Sequence, residues 1–239
     1  MDWRAPSAPR AHIPRKSGLP FVKLNTDVVR SVIEDVLAPT ACVPEHLESH
    51  GWFFFSFPGF CKNWRPPYRV GIDADVHGVG GWHVDVGYEI VETYDLSSGN
   101  CGIVPVFLLT TTRSRGGATV LLPGSHRVVA RLLHAAGGRL PRAHMTAFCE
   151  HLATEKTEIV EATGDAGDLY LLHPLLIHSA SHNSHDSVRV MCSTGIGLVG
   201  PRRFMLDGEH HSLCDRAIRD AINGHHHHAL SALRLKSGI

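Results

Sequence analysis

The feature that most restricts the fold of this chain is a succession of short runs rich in β-branched and aromatic residues, from Trp82 onward, that do not alternate regularly with helical segments. A doubly wound parallel sheet needs a helix after each strand. That class is excluded, and a mainly β sandwich or jelly roll with flanking α-helices is expected. Residues 51–57, 82–90, 102–112, 118–122 and 158–162 read as strands, with Gly116-Gly117 as a turn. Residues 168–178 and 188–198 read as a strand pair joined by a polar connection of Ser, His, Asn and Asp.

Helices are expected towards the ends and between some strands. Over residues 25–38 the apolar Val28, Val29, Val32, Ile33, Val36 and Leu37 fall at helical spacing; Thr26 can cap the helix and Pro39 stops it. Pro123-Gly124-Ser125 ends a strand and can cap a helix over about residues 126–136, and another helix is expected near 145–154. Residues 212–222 begin with a Ser212 cap, carry Asp215 at the third helical position and end at Asn223-Gly224.

A chain of 239 residues is long enough for one domain with a substantial core, and we assign that domain to residues 21–239. Residues 1–20 are expected to be a flexible arm, because prolines at 6, 9 and 14 prevent an amphipathic targeting helix. Lys plus Arg equals Asp plus Glu at 23 each, and no basic stretch is interleaved with aromatics, which argues against a nucleic-acid partner. No apolar run is long enough to span a membrane. The six cysteines form no C-x-x-C pair and read as reduced, buried thiols of an intracellular, cytoplasmic protein. His225 to His228 reads as a solvated run between two helices.

The chemistry-bearing residues begin with His83-Val84-Asp85. On a strand, residues two apart face the same way, so both side chains can bind one metal. With 19 histidines in the chain such a triplet carries little weight by spacing alone, and His46-Leu47-Glu48 is a similar one in a region not expected to be strand. The context raises His83 and Asp85: G-G-W-H-V-D-V, a distal His178 at a strand end, and Arg189 opening the next apolar run. Two imidazoles and one carboxylate suit Fe(II) and leave a face open for other ligands. A 2-oxo diacid such as 2-oxoglutarate would need a fixed cation for its far carboxylate, and arginine meets a carboxylate with two parallel bonds. Thr119 can donate to the oxo acid from its strand, although packing is the commoner role for such a residue, and Trp82 and Tyr88 read either as pocket walls or as ordinary core. Arg189 could alternatively pair with Asp168 or Asp186, and His126 is a weaker site candidate.

The stretches G-W-H-V-D, G-G-A-T-V-L-L-P-G-S-H from Gly116 to His126, and G-D-L-Y-L-L-H-P-L-L-I-H followed by Asn183 and Arg189 resemble the phytanoyl-CoA dioxygenase family. The resemblance covers about residues 81–198. It implies a double-stranded β-helix, a cupin-like jelly roll, with His83, Asp85 and His178 as Fe(II) ligands and Arg189 as the 2-oxoglutarate anchor. His173 resembles a family position that is not a ligand. The implied activity is dioxygen-dependent hydroxylation of a small organic molecule with release of succinate and CO2. Retention of Asp85 favours hydroxylation, because related halogenases lack that carboxylate. The chain departs from the family after His178, where Ser179-Ala180-Ser181 stands in place of a frequent glycine and then serine. Two other readings of the same residues are a zinc-dependent hydrolase or isomerase on a similar barrel and a non-catalytic ligand-binding barrel. Residues 60–80 and 137–157 are candidate covering segments.

Overall fold

The computed structural model describes residues 10–13, 16–17, 23–58, 81–85, 92–155, 158–202, 204, 211–224 and 232–235. The chain begins with β1 (Arg10–Ile13), β2 (Lys16–Ser17), α1 (Asp27–Leu37), α2 (Pro44–Leu47), β3 (Ser49–His50) and β4 (Trp52–Ser56). There follow β5 (Thr93–Asp95), β6 (Val104–Leu108), β7 (Thr119–Leu121), α3 (Ser125–Ala135), β8 (Arg139–Pro141) and α4 (Arg142–Glu155). The last elements are β9 (Val160–Glu161), β10 (Leu169–Leu172), β11 (His178–Ala180), β12 (Arg189–Ser193), α5 (Leu213–Ile222) and β13 (Ala232–Leu235).

The strands make a jelly roll of antiparallel sheets that do not close into a continuous barrel. The larger sheet has the order β1-β4-β12-β6-β10-β13 and the smaller β11-β7-β9. Residues 10–13, assigned to the arm in the sequence, are strand and pair with Phe53 to Ser56 of β4. Side-chain parity then sorts the apolar residues into three layers. Phe54, Val104, Val106, Leu108, Leu121, Tyr170, Leu172 and Met191 form the cluster between the sheets. Their neighbours Phe53, Phe107, Leu169, Leu171 and Cys192 face the other way and pack with Ile33 and Leu37 of α1. On the outside of the smaller sheet, Val120, Leu122 and Ile177 pack with Val129 and Leu133 of α3, Met145 and Cys149 of α4, and Ile218 of α5. Ile33 and Leu37 are wholly buried, which stabilises the α1 docking by about 1.5–3 kcal/mol per side chain.

The two terminal helix caps follow the sequence. Thr26 Oγ1 accepts from the Val29 amide at 3.3 Å, and Ser212 Oγ accepts from the Asp215 amide at 3.0 Å. One expectation needs correction. Residues 168–178 and 188–198 do not pair with each other: β10 ends at Leu172, the chain turns at His173-Pro174 and crosses to the smaller sheet as β11, while β12 lies between β4 and β6. A proline after His173 removes a ladder donor and breaks the run that hydropathy alone makes continuous. The described part of the covering candidate 137–157 contains β8 and all of α4, which buries Met145, Cys149 and Leu152 behind the smaller sheet. The other covering candidate, 60–80, the His225 to His228 run and Tyr88 lie outside the described residues.

Cys42, Cys101, Cys149, Cys192 and Cys214 are free and buried. Burial pushes the thiols of Cys149, Cys192 and Cys214 up to about 12. Cys42 and Cys101 are raised by the same desolvation. Among the described residues no helix is long and apolar enough to cross a membrane.

Candidate active site

His83, Asp85 and His178 come together at one edge of the smaller sheet. Each offers a ligand atom, and these atoms lie within 4.8 Å of one another. His178 opens β11, which pairs on one side with β7, His178 opposite Leu121. On the other side it forms a bridge with His83: the His83 amide donates to the His178 carbonyl at 3.0 Å and the His178 amide to the His83 carbonyl at 2.9 Å. Residues 81–85 therefore act as one more short strand beyond β11. Trp82 and Val84 turn outward into the helix-covered cluster, which leaves His83 and Asp85 on the inner face. Of the two sequence readings of Trp82, pocket wall or core, it is core behind the sheet. The link is held from both sides, by Glu150 Oε1 accepting from the Trp82 amide at 3.2 Å and by the Tyr94 hydroxyl donating to the Val84 carbonyl at 3.1 Å.

The imidazoles are oriented for metal binding by their own chain. His83 Nδ1 lies 2.9 Å from the Gly81 carbonyl and His178 Nδ1 lies 2.9 Å from the Leu176 carbonyl. A carbonyl only accepts, so each Nδ1 is the donor of its pair, which leaves Nε2 as the atom each ring turns towards Asp85. The Nε2 atoms lie 4.0 Å and 3.6 Å from the Asp85 carboxylate oxygens, with ring centroids 4.4 Å apart. Two imidazoles fixed at Nδ1 and one carboxylate form a donor set that fits Fe(II) with an open face. The side chains are 46%, 32% and 12% exposed for His83, Asp85 and His178, so the set is reachable from outside the core. A cleft of about 530 Å³ runs beside Asp85, lined also by Tyr94, Leu133, Leu175 and Arg202.

Arg189 and Thr119 face the same interior. Arg189 is 4% exposed on β12, and its Nε donates to the Gly117 carbonyl at 2.6 Å. Its guanidinium thus reaches from the larger sheet to the residues just before β7. Thr119 is paired with Ala180 across β7 and β11, two residues from the Leu121–His178 pair, and its hydroxyl contacts Met191 Sδ at 3.2 Å. Along the inner surface the order is therefore His178, then Thr119 and Ala180, then Gly117 with Arg189. At about 3.3 Å per strand residue, Leu121 to Gly117 spans roughly 13 Å.

His126 and His173 stand apart from this set. They are buried outside the smaller sheet with ring centroids 4.8 Å apart. Desolvation lowers His126 to about 4, with the Arg127 charge acting in the same direction, and takes His173 well below its usual range. Both are neutral at pH 7 and neither reaches the metal donors. His46, the other triplet histidine, instead accepts from the Gly197 amide through Nδ1 at 2.9 Å, a structural bond.

The sequence profile of the family described as phytanoyl-CoA dioxygenase matches residues 73–191, which include all three donors and Arg189. The chain belongs to the phytanoyl-CoA dioxygenase family. It is an Fe(II)- and 2-oxoglutarate-dependent oxygenase, with dioxygen as the usual co-substrate of the family. No curated relative matches the chain at a significant level. Similar solved structures include HygX from Streptomyces hygroscopicus with nickel and 2-oxoglutarate bound, 15% identical over 85% of this chain and 76% of its own, TM-score 0.45. HygX with nickel, 2-oxoglutarate and hygromycin B bound is 14% identical over 82% of this chain and 86% of its own, TM-score 0.42. SnoK, a non-heme alpha ketoglutarate dependent carbocyclase from nogalamycin biosynthesis, is 16% identical over 80% of each chain, TM-score 0.40.

Sequence reasoning missed the residues that hold the candidate donor cluster in place. Tyr94 and Glu150 lie in stretches with no motif, and nothing in the sequence marks them. Ser125 did carry a signal, but the signal suggested a helix cap, whereas the cap position is Gly124 and no side-chain cap bond is made there.

Proposed function

We propose that this oxygenase hydroxylates a small organic molecule while converting 2-oxoglutarate to succinate and CO2. His83, Asp85 and His178 hold the iron through two Nε2 atoms and a carboxylate, and Arg189 binds the far carboxylate of the co-substrate. The observation that carries this reading is the convergence of the three donor atoms within 4.8 Å on the inner face, each imidazole fixed at Nδ1. The bound iron supplies dioxygen activation. The chain's own residues orient the donors, anchor the diacid and give the substrate a bounded space. The cleft of about 530 Å³ beside Asp85 is of the size that small-molecule sites occupy.

Thr119 is the second contact for the diacid in this proposal. Ala180 stands two residues after His178, where the family often carries a serine, and Thr119 faces Ala180 directly across the strand pair. A hydroxyl on β7 thus supports the same inner position from the neighbouring strand. Its contact with Met191, two residues from Arg189, keeps it on the side of the guanidinium.

Anaerobic titration with Fe(II) and then 2-oxoglutarate, followed by the metal-to-ligand charge-transfer band, tests the proposal, with succinate release as the turnover readout. His178→Ala is expected to abolish the band. Arg189→Lys keeps the charge but loses the planar fork, and should weaken 2-oxoglutarate by roughly 10–100-fold, the equivalent of about 1.5–3 kcal/mol for charge-assisted hydrogen bonds. Unchanged co-substrate affinity in Arg189→Lys and Arg189→Ala would remove the anchor assignment.

A further inference from the structure

We propose that Ser125 is a positioning residue for the metal ligand His178, acting through the peptide that joins Leu176 to Ile177. This inference rests on His178 being an iron ligand. The segment from His173 to His178 crosses from the larger sheet to the smaller, so most of its amides have no ladder to hold them. Their partners can nevertheless be followed one by one. Leu175 donates to His173 Nδ1 at 3.0 Å, and Leu176 to the His173 carbonyl at 2.9 Å. Ile177 donates to Ser125 Oγ at 2.8 Å, and His178 to the His83 carbonyl at 2.9 Å.

The Ile177 bond matters most for the metal. The Ile177 N–H and the Leu176 carbonyl belong to one planar peptide unit, and in a trans peptide the two point in opposite directions. Ser125 Oγ grips one side of that plane, and the other side accepts from His178 Nδ1 at 2.9 Å. Rotation of the plane would turn the carbonyl away from the imidazole and release the ring. The serine hydroxyl therefore sets, at one remove, the direction in which Nε2 points. Such outer partners of ligating histidines govern metal affinity.

Ser125 is well suited to hold still. It is the first residue of α3, its side chain is fully buried, and its own amide donates to the Leu122 carbonyl at 3.1 Å. Leu122 in turn donates to the Ile177 carbonyl at 3.0 Å, which ties the next peptide to the end of β7. The helix has Gly124 at its N-cap and no side-chain cap bond, so the Ser125 hydroxyl is not placed there for capping. His173, its Nε2 paired with the Cys214 carbonyl at 3.2 Å, steadies the start of the same crossover.

The test is anaerobic titration of the metal-free protein with Co(II), reading both affinity and the visible absorption of the bound ion. Ser125→Ala is expected to bind Co(II) roughly 10–100-fold more weakly and with an altered spectrum. Ser125→Thr, which keeps the hydroxyl acceptor, should retain the parent spectrum. A purely structural serine would instead lower the melting temperature of the metal-free protein and leave Co(II) affinity and spectrum as they were, and that result overturns the proposal. Ser125→Cys, similar in shape but a poor acceptor, gives the same comparison if the alanine protein does not fold. His178→Ala is the control for the reading beneath: parent-like Co(II) binding there overturns the ligand assignment, whatever Ser125 does.

Discussion

His83 and His178 exchange both of their backbone hydrogen bonds, at 3.0 and 2.9 Å, although 95 positions separate them in the chain. The distance between the two imidazoles is therefore set by a strand register and not by a loop. That register depends on the outward neighbours of His83, since Trp82 and Val84 anchor the short segment in the helix-covered core.

Trp82→Ala should consequently act as a core mutation with an effect at the metal. Loss of so large a buried side chain is expected to cost about 3–5 kcal/mol in urea unfolding of the metal-free protein. Fe(II) affinity should fall as well, although no ligand is touched. A change confined to substrate KM would instead mean that the ring lines the pocket.

Gly117→Ala should separate co-substrate binding from metal binding. Gly117 has φ +79°, and a Cβ there would lie 2.5 Å from Ser56 Oγ and 2.9 Å from Ser56 Cβ. The backbone conformation alone costs an L-residue about 1–2 kcal/mol. Because the Gly117 carbonyl accepts from Arg189 Nε, the guanidinium must shift with it. Weaker 2-oxoglutarate binding with unchanged Fe(II) affinity is expected in paired anaerobic titrations.

Acidification should destabilise the metal-free protein through His126. Its folded value of about 4 lies below the usual 6.5, first because of burial and then because of Arg127. Between those values the unfolded chain binds a proton that the folded chain does not, so this contribution is complete above pH 6.5 and is lost as pH falls towards 4. From pH 7 to pH 5 the loss is about 2 kcal/mol for this residue. His173 is shifted in the same direction and adds to it. Unfolding free energies measured across that range should fall less steeply in His126→Leu.

Arg202 and Asp215 form a buried ion pair at 3.2 Å, with side chains 4% and 1% exposed. Arg202→Met leaves the carboxylate buried and uncompensated, and should cost about 3–5 kcal/mol. Adding Asp215→Leu should recover much of that loss, because an apolar pair of similar volume needs no charge compensation. A double-mutant cycle by chemical denaturation checks both statements.

The parts of the fold that could be read in advance were those fixed by local chemistry. Thr26 and Ser212 cap the helices their sequence positions announced, and Pro39 follows the end of α1. Strand pairing was not legible, because β12 chooses β4 and β6 through sandwich packing and not by proximity to β11 in sequence. The three candidate donors could be picked out from a resemblance to a family pattern, whereas the supporting bonds of Tyr94, Glu150 and Ser125 join residues 10, 68 and 52 positions apart. The outward turn of Trp82 follows from strand parity once His83 is taken to face inward.

The five buried thiols among the described residues bear on how an oxygen-activating protein survives its own chemistry. Sulfur is oxidised chiefly as thiolate and where oxidants have access. Cys42, Cys101, Cys149, Cys192 and Cys214 offer neither condition. Turnovers that misfire and release reactive oxygen will leave these positions free of sulfenic acid, so damage from futile cycling is directed to other side chains around the open face.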